Sequence, residues 1–140
     1  KLNVRGNRIQ SLQPLFGMEN LKFLDAGKNP LKDIEPLKGL SLEGLRIDST
    51  DVSDIEVVRD MPLMILDLGD CRKLKDISPV FGMETLEYLS IPKEMNDIEP
   101  LRRMPGLRAL NNSNISILNS SPDILSVEEF WKRYDLQKKK

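Results

Sequence analysis

Apolar residues recur along the chain with a period of about 21 residues. Leucine heads five successive units, at spacings of 21, 21, 23 and 21 residues: Leu21, Leu42, Leu63, Leu86 and Leu107. With residues 21–41 as the reference unit, apolar positions 4 and 6 lie two apart, which is typical of a short strand. Apolar positions 11, 14, 17 and 20 lie three apart, which suits a tight helical or 3-10 return. The period predicts a solenoid whose coils bury their apolar edges against one another.

The predicted fold class is therefore α/β, with a parallel sheet on the concave side and short helical or 3-10 turns on the convex side. We expect residues 1–110 to form five to six coils, of which the first is truncated. We expect residues 111–140 to form an irregular last coil and a C-terminal capping helix. No polar unit covers the first coil, so we interpret the chain as the C-terminal part of a longer protein.

Two polar positions in each coil have predicted structural roles. Position 9, directly after the strand, should turn inward and hydrogen-bond buried backbone; it reads Asn7, Asn29, Thr50 and Cys71. This role makes Cys71 a structural residue rather than a nucleophile. Position 13 should accept hydrogen bonds from free N–H groups at the start of each turn; it reads Ser11, Asp33, Asp54, Asp76 and Asp97.

Aromatic residues leave two pairs of alternatives open. Phe16 and Phe81 lie in the similar segments PLFGMENL and PVFGMETL; each either folds over its turn or offers a convex contact. Ser126 and Glu129 form a capping box that begins a helix carrying Phe130, Trp131 and Tyr134. These aromatic residues either close the last coil, which we favour, or dock a partner.

Composition excludes several classes of function. With 21 Lys and Arg against 22 Asp and Glu, the net charge of -1 disfavours nucleic acid. No apolar run approaches the ~18 residues of a membrane span. Because the chain has no His, no nucleophile elbow and no phosphate-binding glycine loop, we predict that it is not an enzyme and uses no cofactor.

A cluster of three acidic residues, Asp48, Asp51 and Asp54, suggests a calcium site, but they occupy three different positions of the repeat. Three Asn-x-Ser triplets match glycosylation acceptors only weakly; they begin at Asn111, Asn114 and Asn119.

Positions 3, 5 and 7 alternate with the buried strand positions, so they should project from the outer, concave side of the sheet. Position 3 carries large apolar residues, and charges of both signs flank them, as in an interface core with a polar rim. Cross-strand packing within the sheet is the alternative explanation. The candidate partner-binding residues are Phe23, Asp25, Arg46, Asp48, Ile65, Asp67, Tyr88 and Ser90.

The repeated segments LKDIEPL, LKDISPV and MNDIEPL resemble the D-I-x-P-L units of bacterial leucine-rich repeat proteins of the internalin type. The D-I-E-x-L-R segment at 97–102 and the E-F-W-K-x-Y-D segment at 129–135 are more similar to the C-terminal repeats of proteins that carry a serine/threonine kinase domain. The resemblance implies a right-handed superhelix and a non-catalytic module that binds another protein.

We expect such a module to be monomeric within a larger chain. The alternatives are a surface or adhesive repeat domain and the sensor or substrate-docking arm of a kinase. Localisation would be the cell surface in the first alternative and the cytoplasm in the second.

Overall fold

The computed structural model describes residues 1–112 and 125–139. Six short strands form one parallel sheet in chain order, β1 to β6. Their bounds are β1 Leu2–Asn3, β2 Phe23–Asp25, β3 Gly44–Arg46, β4 Ile65–Asp67, β5 Tyr88–Ile91 and β6 Ala109–Asn112. Neighbouring strands pair without a shift, so that Leu24 faces Leu45 and Leu45 faces Leu66. This register puts each position of the repeat beside the same position of the next coil.

A 3-10 turn returns the chain in each of the first five coils, as predicted. The turns are Gln13–Leu15, Glu35–Leu37, Glu56–Val58, Ser78–Val80 and Glu99–Arg103. The carboxylates of Asp33, Asp54 and Asp76 each accept a hydrogen bond at 2.7 Å from the backbone N–H two residues later. Because each carboxylate fixes the start of its turn, this acidic row has a capping role.

The core is a stack of apolar rungs between the sheet and the turns. The leucines that head the second to fourth units are almost fully buried, as are their neighbours at positions 4 and 6. Burying one such side chain contributes roughly 1.5–3 kcal/mol. These rungs form one continuous cluster that runs from the first coil to the C-terminal helix.

Position 9 forms a hydrogen-bonded ladder inside the bend after each strand. The Asn29 amide donates to the carbonyls of Val4, Ala26 and Gly27 at 2.9–3.2 Å. Its oxygen accepts the N–H groups of Asn7 and Ile9, in the preceding coil, at 3.1 and 3.0 Å. The side chain therefore satisfies buried backbone in two coils at once.

The ladder continues with shorter side chains in the next two coils. Thr50 donates to the carbonyl of Ile47 at 2.7 Å, and the Cys71 thiol donates to the same carbonyl at 3.1 Å. The predicted inward role of position 9 is confirmed for Asn29, Thr50 and Cys71. Asn7 also donates to backbone carbonyls, those of Val4 and Arg5, but it is exposed in the first coil.

The fifth coil lacks an inward side chain at this bend, and Glu94 there is exposed. Asn112, which replaces the apolar residue at position 6 of the sixth strand, is buried instead. Its amide reaches the carbonyls of Pro92 and Lys93 at 3.4 and 3.5 Å. A strand residue of the following coil thus supplies the donors that the fifth coil does not.

The C-terminal helix α1, Val127–Lys138, begins at a Ser126 N-cap that accepts the Glu129 N–H at 3.3 Å. Phe130 and Trp131 are buried against the last coil, which confirms the capping interpretation for these two residues. Arg102 of the fifth turn lies 3.9 Å from the Trp131 ring centre and pairs with Asp135. The two segments that carry the resemblance to kinase-linked repeats therefore contact each other.

The predicted irregular stretch at 113–124, with the triplets at Asn114 and Asn119, lies outside the described residues.

The two similar phenylalanines have different surroundings. Phe81 packs against the core and shares a surface cavity with Pro100 and Met104 of the following coil. Phe16 is 65% exposed, so the expectation that it folds over its turn is wrong. Gly17 and Gly82 bend the backbone after each ring with φ of 76° and 84°.

Replacing Asn29 by Ala should lower the free energy of unfolding by about 3 kcal/mol, because several buried backbone groups lose their partner. Urea denaturation followed by circular dichroism measures this loss. Asn7→Ala is the matched control: Asn7 occupies the same position in the exposed first coil, and its loss should cost about 1 kcal/mol or less. Equal losses for the two variants would contradict the role of Asn29 in joining coils.

Candidate protein-binding surface

The outer face of the sheet, called here the concave face, is formed by positions 3, 5 and 7 of each strand. The pairing register aligns Phe23 with Gly44, Gly44 with Ile65, and Ile65 with Tyr88. It likewise aligns Asp25, Arg46, Asp67 and Ser90 along position 5. Seven of the eight predicted contact residues thus form two adjacent rows, and Asp48 lies beside them at position 7.

The apolar row is continuous because of Gly44. A Cβ atom at this position would overlap the Phe23 ring, so the ring lies across Gly44 and towards Ile65. Phe23, Ile65 and Tyr88 are all half-buried. A depression of about 220 Å³ lies between Phe23, Arg46 and Ile65. We call the row formed by Phe23, Ile65 and Tyr88 the apolar strip.

An ion pair occupies the N-terminal part of the concave face. Arg5 donates to both carboxylate oxygens of Asp48 at 2.6 Å and contacts Asp25 at 3.4 Å. Its side chain crosses Gly27, where a Cβ would overlap the guanidinium. These hydrogen bonds raise the pKa of Arg5. The Asp48 carboxylate is buried and bound by Arg5, so it stabilises the face rather than offering a free charge.

Asp67 lies next to the apolar strip at position 5 of β4. Burial raises the pKa of its carboxyl, and the negative charge of Asp48 acts in the same direction. Three interactions oppose this rise in pKa: the hydrogen bond that the Gly69 N–H donates at 3.1 Å, the hydrogen bond with the Ser90 hydroxyl, and the positive charge of Arg46. In the part of the chain that the structure describes, no cation forms an ion pair with Asp67. Asp25 and Asp48 both contact Arg5, so among the described acids of this face Asp67 is the one that no cation reaches within ion-pair distance.

Tyr88 and Ser90 complete the face on β5. Burial, followed by the charge of Asp67, raises the pKa of the Tyr88 phenol, whereas hydrogen bonding to Asn111 and Ser90 opposes the rise. The phenol is therefore neutral at physiological pH and presents a hydrogen-bonding edge beside an apolar ring. Ser90 is buried, and it supports its neighbours rather than reaching outward.

The residues that suggested a calcium site have separate partners. Asp48 binds Arg5, Asp51 pairs with Lys73 at 3.1 Å, and Asp54 caps the third turn. No group of three metal-ligating residues comes together within residues 1–112 and 125–139. In the same ranges, no helix is long and apolar enough to cross a membrane.

Sequence reasoning missed two features of the concave face. It did not identify Arg5 as the partner of Asp48, and it gave no role to Gly27 and Gly44, over which long side chains extend. A signal was present in the sequence: Gly44 lies between Phe23 and Ile65 at position 3, and Gly27 follows Arg5 at position 7.

Replacing Asp67 by Asn should raise the melting temperature at pH 7. Because the pKa of Asp67 is raised in the folded state, folding favours the protonated acid. The stability that the protonated acid contributes is complete below about pH 4 and is lost as pH rises through the raised pKa. The gain should therefore shrink towards pH 3.5, where both states of the wild-type residue are protonated. Thermal melts across this range test the expectation, with Asp60→Asn on an exposed turn as the control. A gain independent of pH would contradict it.

The Cys71 thiol should be unreactive towards Ellman's reagent in the folded protein. It is fully buried, and burial raises its pKa, so little thiolate forms. Reaction should be slower than in urea by at least about 100-fold, since global unfolding of a domain costs about 5–15 kcal/mol. Rapid labelling of the native protein would show an accessible thiol.

Comparison with known proteins supports the fold assignment. A sequence model of the family described as "Leucine Rich repeats (2 copies)" matches residues 1–39. An internalin (inlF) from Listeria monocytogenes is similar at 26% identity with a TM-score of 0.61, over 79% of this chain and 41% of that chain. An internalin C2 (inlC2) from the same organism is similar at 22% identity with a TM-score of 0.55, over 79% and 60% of the two chains. No curated protein matched the sequence.

The chain spans about two fifths and three fifths of the two internalin chains that it matches. Folds of this kind are typically non-catalytic. The six-stranded parallel sheet, the 3-10 turns and the C-terminal helix agree with the repeat match and with the internalin neighbours. The chain is a leucine-rich repeat solenoid of the kind seen in bacterial internalins.

Proposed function

We propose that the chain is a non-catalytic recognition module that binds another protein on its concave face. The observation that carries this proposal is the apolar strip, which places two aromatic rings and an isoleucine in one row on the outer face of the sheet. Hot spots of protein interfaces are typically such aromatic anchors, surrounded by polar residues. Leucine-rich repeat domains generally act as protein-binding modules, which agrees with this assignment.

The geometry also explains why the strip is suited to binding rather than to folding. The core positions of the same strands are almost completely buried on the opposite side, so the fold does not depend on Phe23 or Tyr88. Removal of either ring should therefore leave the rungs intact. The strip is rigid because each of its strands is hydrogen-bonded to its neighbours.

The two more specific roles differ in the partner they imply. A kinase docking arm would bind an intracellular regulator or substrate, and its support is the resemblance of the segments at 97–102 and 129–135 to the repeats of kinase-linked proteins. An adhesive domain would bind a component outside the cell, and its support is the likeness to internalins. Identification of the partner separates the two roles.

The Phe23→Ala and Tyr88→Ala double variant should lose at least tenfold in affinity for the partner, since an anchor residue contributes about 2 kcal/mol or more. The partner is first isolated with the whole chain as bait and identified by mass spectrometry, and affinity is then measured by calorimetry. Phe16→Ala is the matched control, because it removes an exposed phenylalanine from the convex side. Unchanged affinity of the double variant, with a native melting temperature, would overturn the proposal.

A further inference from the structure

Rows of side chains cross the strands of the concave face with the spacing of the sheet. Neighbouring strands lie about 4.8 Å apart. The strip therefore offers three anchor points at this spacing: the Phe23 ring over Gly44 in β3, Ile65 in β4 and Tyr88 in β5. An occupant that fills all three must present apolar groups at intervals close to this distance.

An α-helix laid across the strands has the required spacing. Its pitch is about 5.4 Å, and residues three or four apart on one face lie about 5–6 Å from each other. Over three strands the mismatch with the sheet is only about 1 Å. An extended segment places side chains on one face about 6.6–6.8 Å apart, so it falls out of step after one strand.

The charges beside the strip also form a regular row. Asp25, Arg46 and Asp67 are aligned in register on β2, β3 and β4, two residues along each strand from position 3. The row therefore alternates negative, positive and negative at the spacing of the strands. Arg46 is exposed, and Asp67 has no ion pair among the described residues. Asp25 is in part compensated by Arg5 at 3.4 Å.

We propose, on the basis of the proposed function, that the concave face receives an amphipathic α-helix of the partner, laid across the strands. Its apolar residues, spaced i, i+4 and i+7, fill the apolar strip. Its flank carries basic, acidic and basic residues at successive turns, which pair with Asp25, Arg46 and Asp67. The contact with Asp67 is the strongest of the three, because Asp67 is half-buried and forms no ion pair among the described residues, whereas Asp25 already pairs with Arg5.

The depression of about 220 Å³ gives the helix a fixed position along the strip. It lies between Phe23, Arg46 and Ile65 and is several times larger than the roughly 30 Å³ occupied by a water molecule. One aliphatic side chain of the helix fills it. The Arg5–Asp48 ion pair limits the open surface at the other edge of the face, at position 7.

The test is a selection from a library displayed on a helical miniprotein, with three apolar-face positions and three flanking positions randomised. The immobilised target is the full 140-residue chain, and the best binder is then measured against its variants. We expect apolar residues at three successive turns and a basic, acidic, basic flank. Asp67→Asn should weaken this binder by about tenfold, as loss of one member of a desolvated charge pair does. Asp60→Asn, on the exposed third turn, should leave its affinity unchanged.

Reversal of one charge sharpens the test. A second selection against Arg46→Glu should replace the acidic residue in the middle of the flank by Lys or Arg. Failure to enrich helical binders, flanks without this pattern, or affinity insensitive to Asp67→Asn would overturn the inference. If such binders still lose affinity with Tyr88→Ala, the proposed function stands. If they are insensitive to both Phe23→Ala and Tyr88→Ala, the proposed function fails as well.

Discussion

The structure depends on satisfying the backbone at the bend that follows each strand. Each strand is short, and the chain turns into the interior directly after it. The backbone carbonyl and N–H groups at this bend therefore cannot hydrogen-bond to water, and each one left unsatisfied costs about 1–3 kcal/mol of stability. The side chains of Asn29, Thr50 and Cys71 meet this requirement from inside the bend. Because Asn29 also accepts N–H groups of the preceding coil, the same residue closes its own bend and fixes the position of its neighbour. The regular register of the sheet follows from this ladder together with the apolar rungs.

The hydrogen-bonded ladder at position 9 also determines how side chains are arranged on the concave face. With every coil held in the same register, equivalent residues form rows across the strands, and any property that repeats along the sequence becomes a stripe on the surface. Where one residue departs from the repeat, the row of side chains changes at that point. Gly44 lets the Phe23 ring close a gap in the apolar row, and Gly27 lets Arg5 reach Asp48 across two strands. The concave face is thus a regular array of rows in which Gly27 and Gly44 leave room for longer neighbouring side chains.

The sequence predicted the repeated features because each depends on a local pattern. The strands, the 3-10 turns, the inward residues at position 9 and the capping carboxylates all follow from spacings within 21 residues. The remaining features depend on distant neighbours. Phe16 and Phe81 have nearly the same local sequence but different burial: Phe16 is 65% exposed, whereas Phe81 packs against the core beside Met104 and Pro100 of the following coil. The candidate contact residues could be placed on one face from the period alone, whereas the burial of Asp48 required knowledge of Arg5, 43 residues away.

Asp67 differs from the other acidic residues of the sheet and the turns in how the fold uses its negative charge. The one backbone contact that it makes in the fold is acceptance of the Gly69 N–H, which the neutral oxygen of an asparagine would accept equally well. Its negative charge is disfavoured by burial and by the nearby Asp48, so the charge itself contributes nothing to the packing of the coil. Asp25, at the equivalent position of β2, is compensated by Arg5, and Asp54 and Asp76 are compensated by N–H groups of their turns. The fold therefore uses the oxygen atoms of Asp67 but, on balance, disfavours its negative charge.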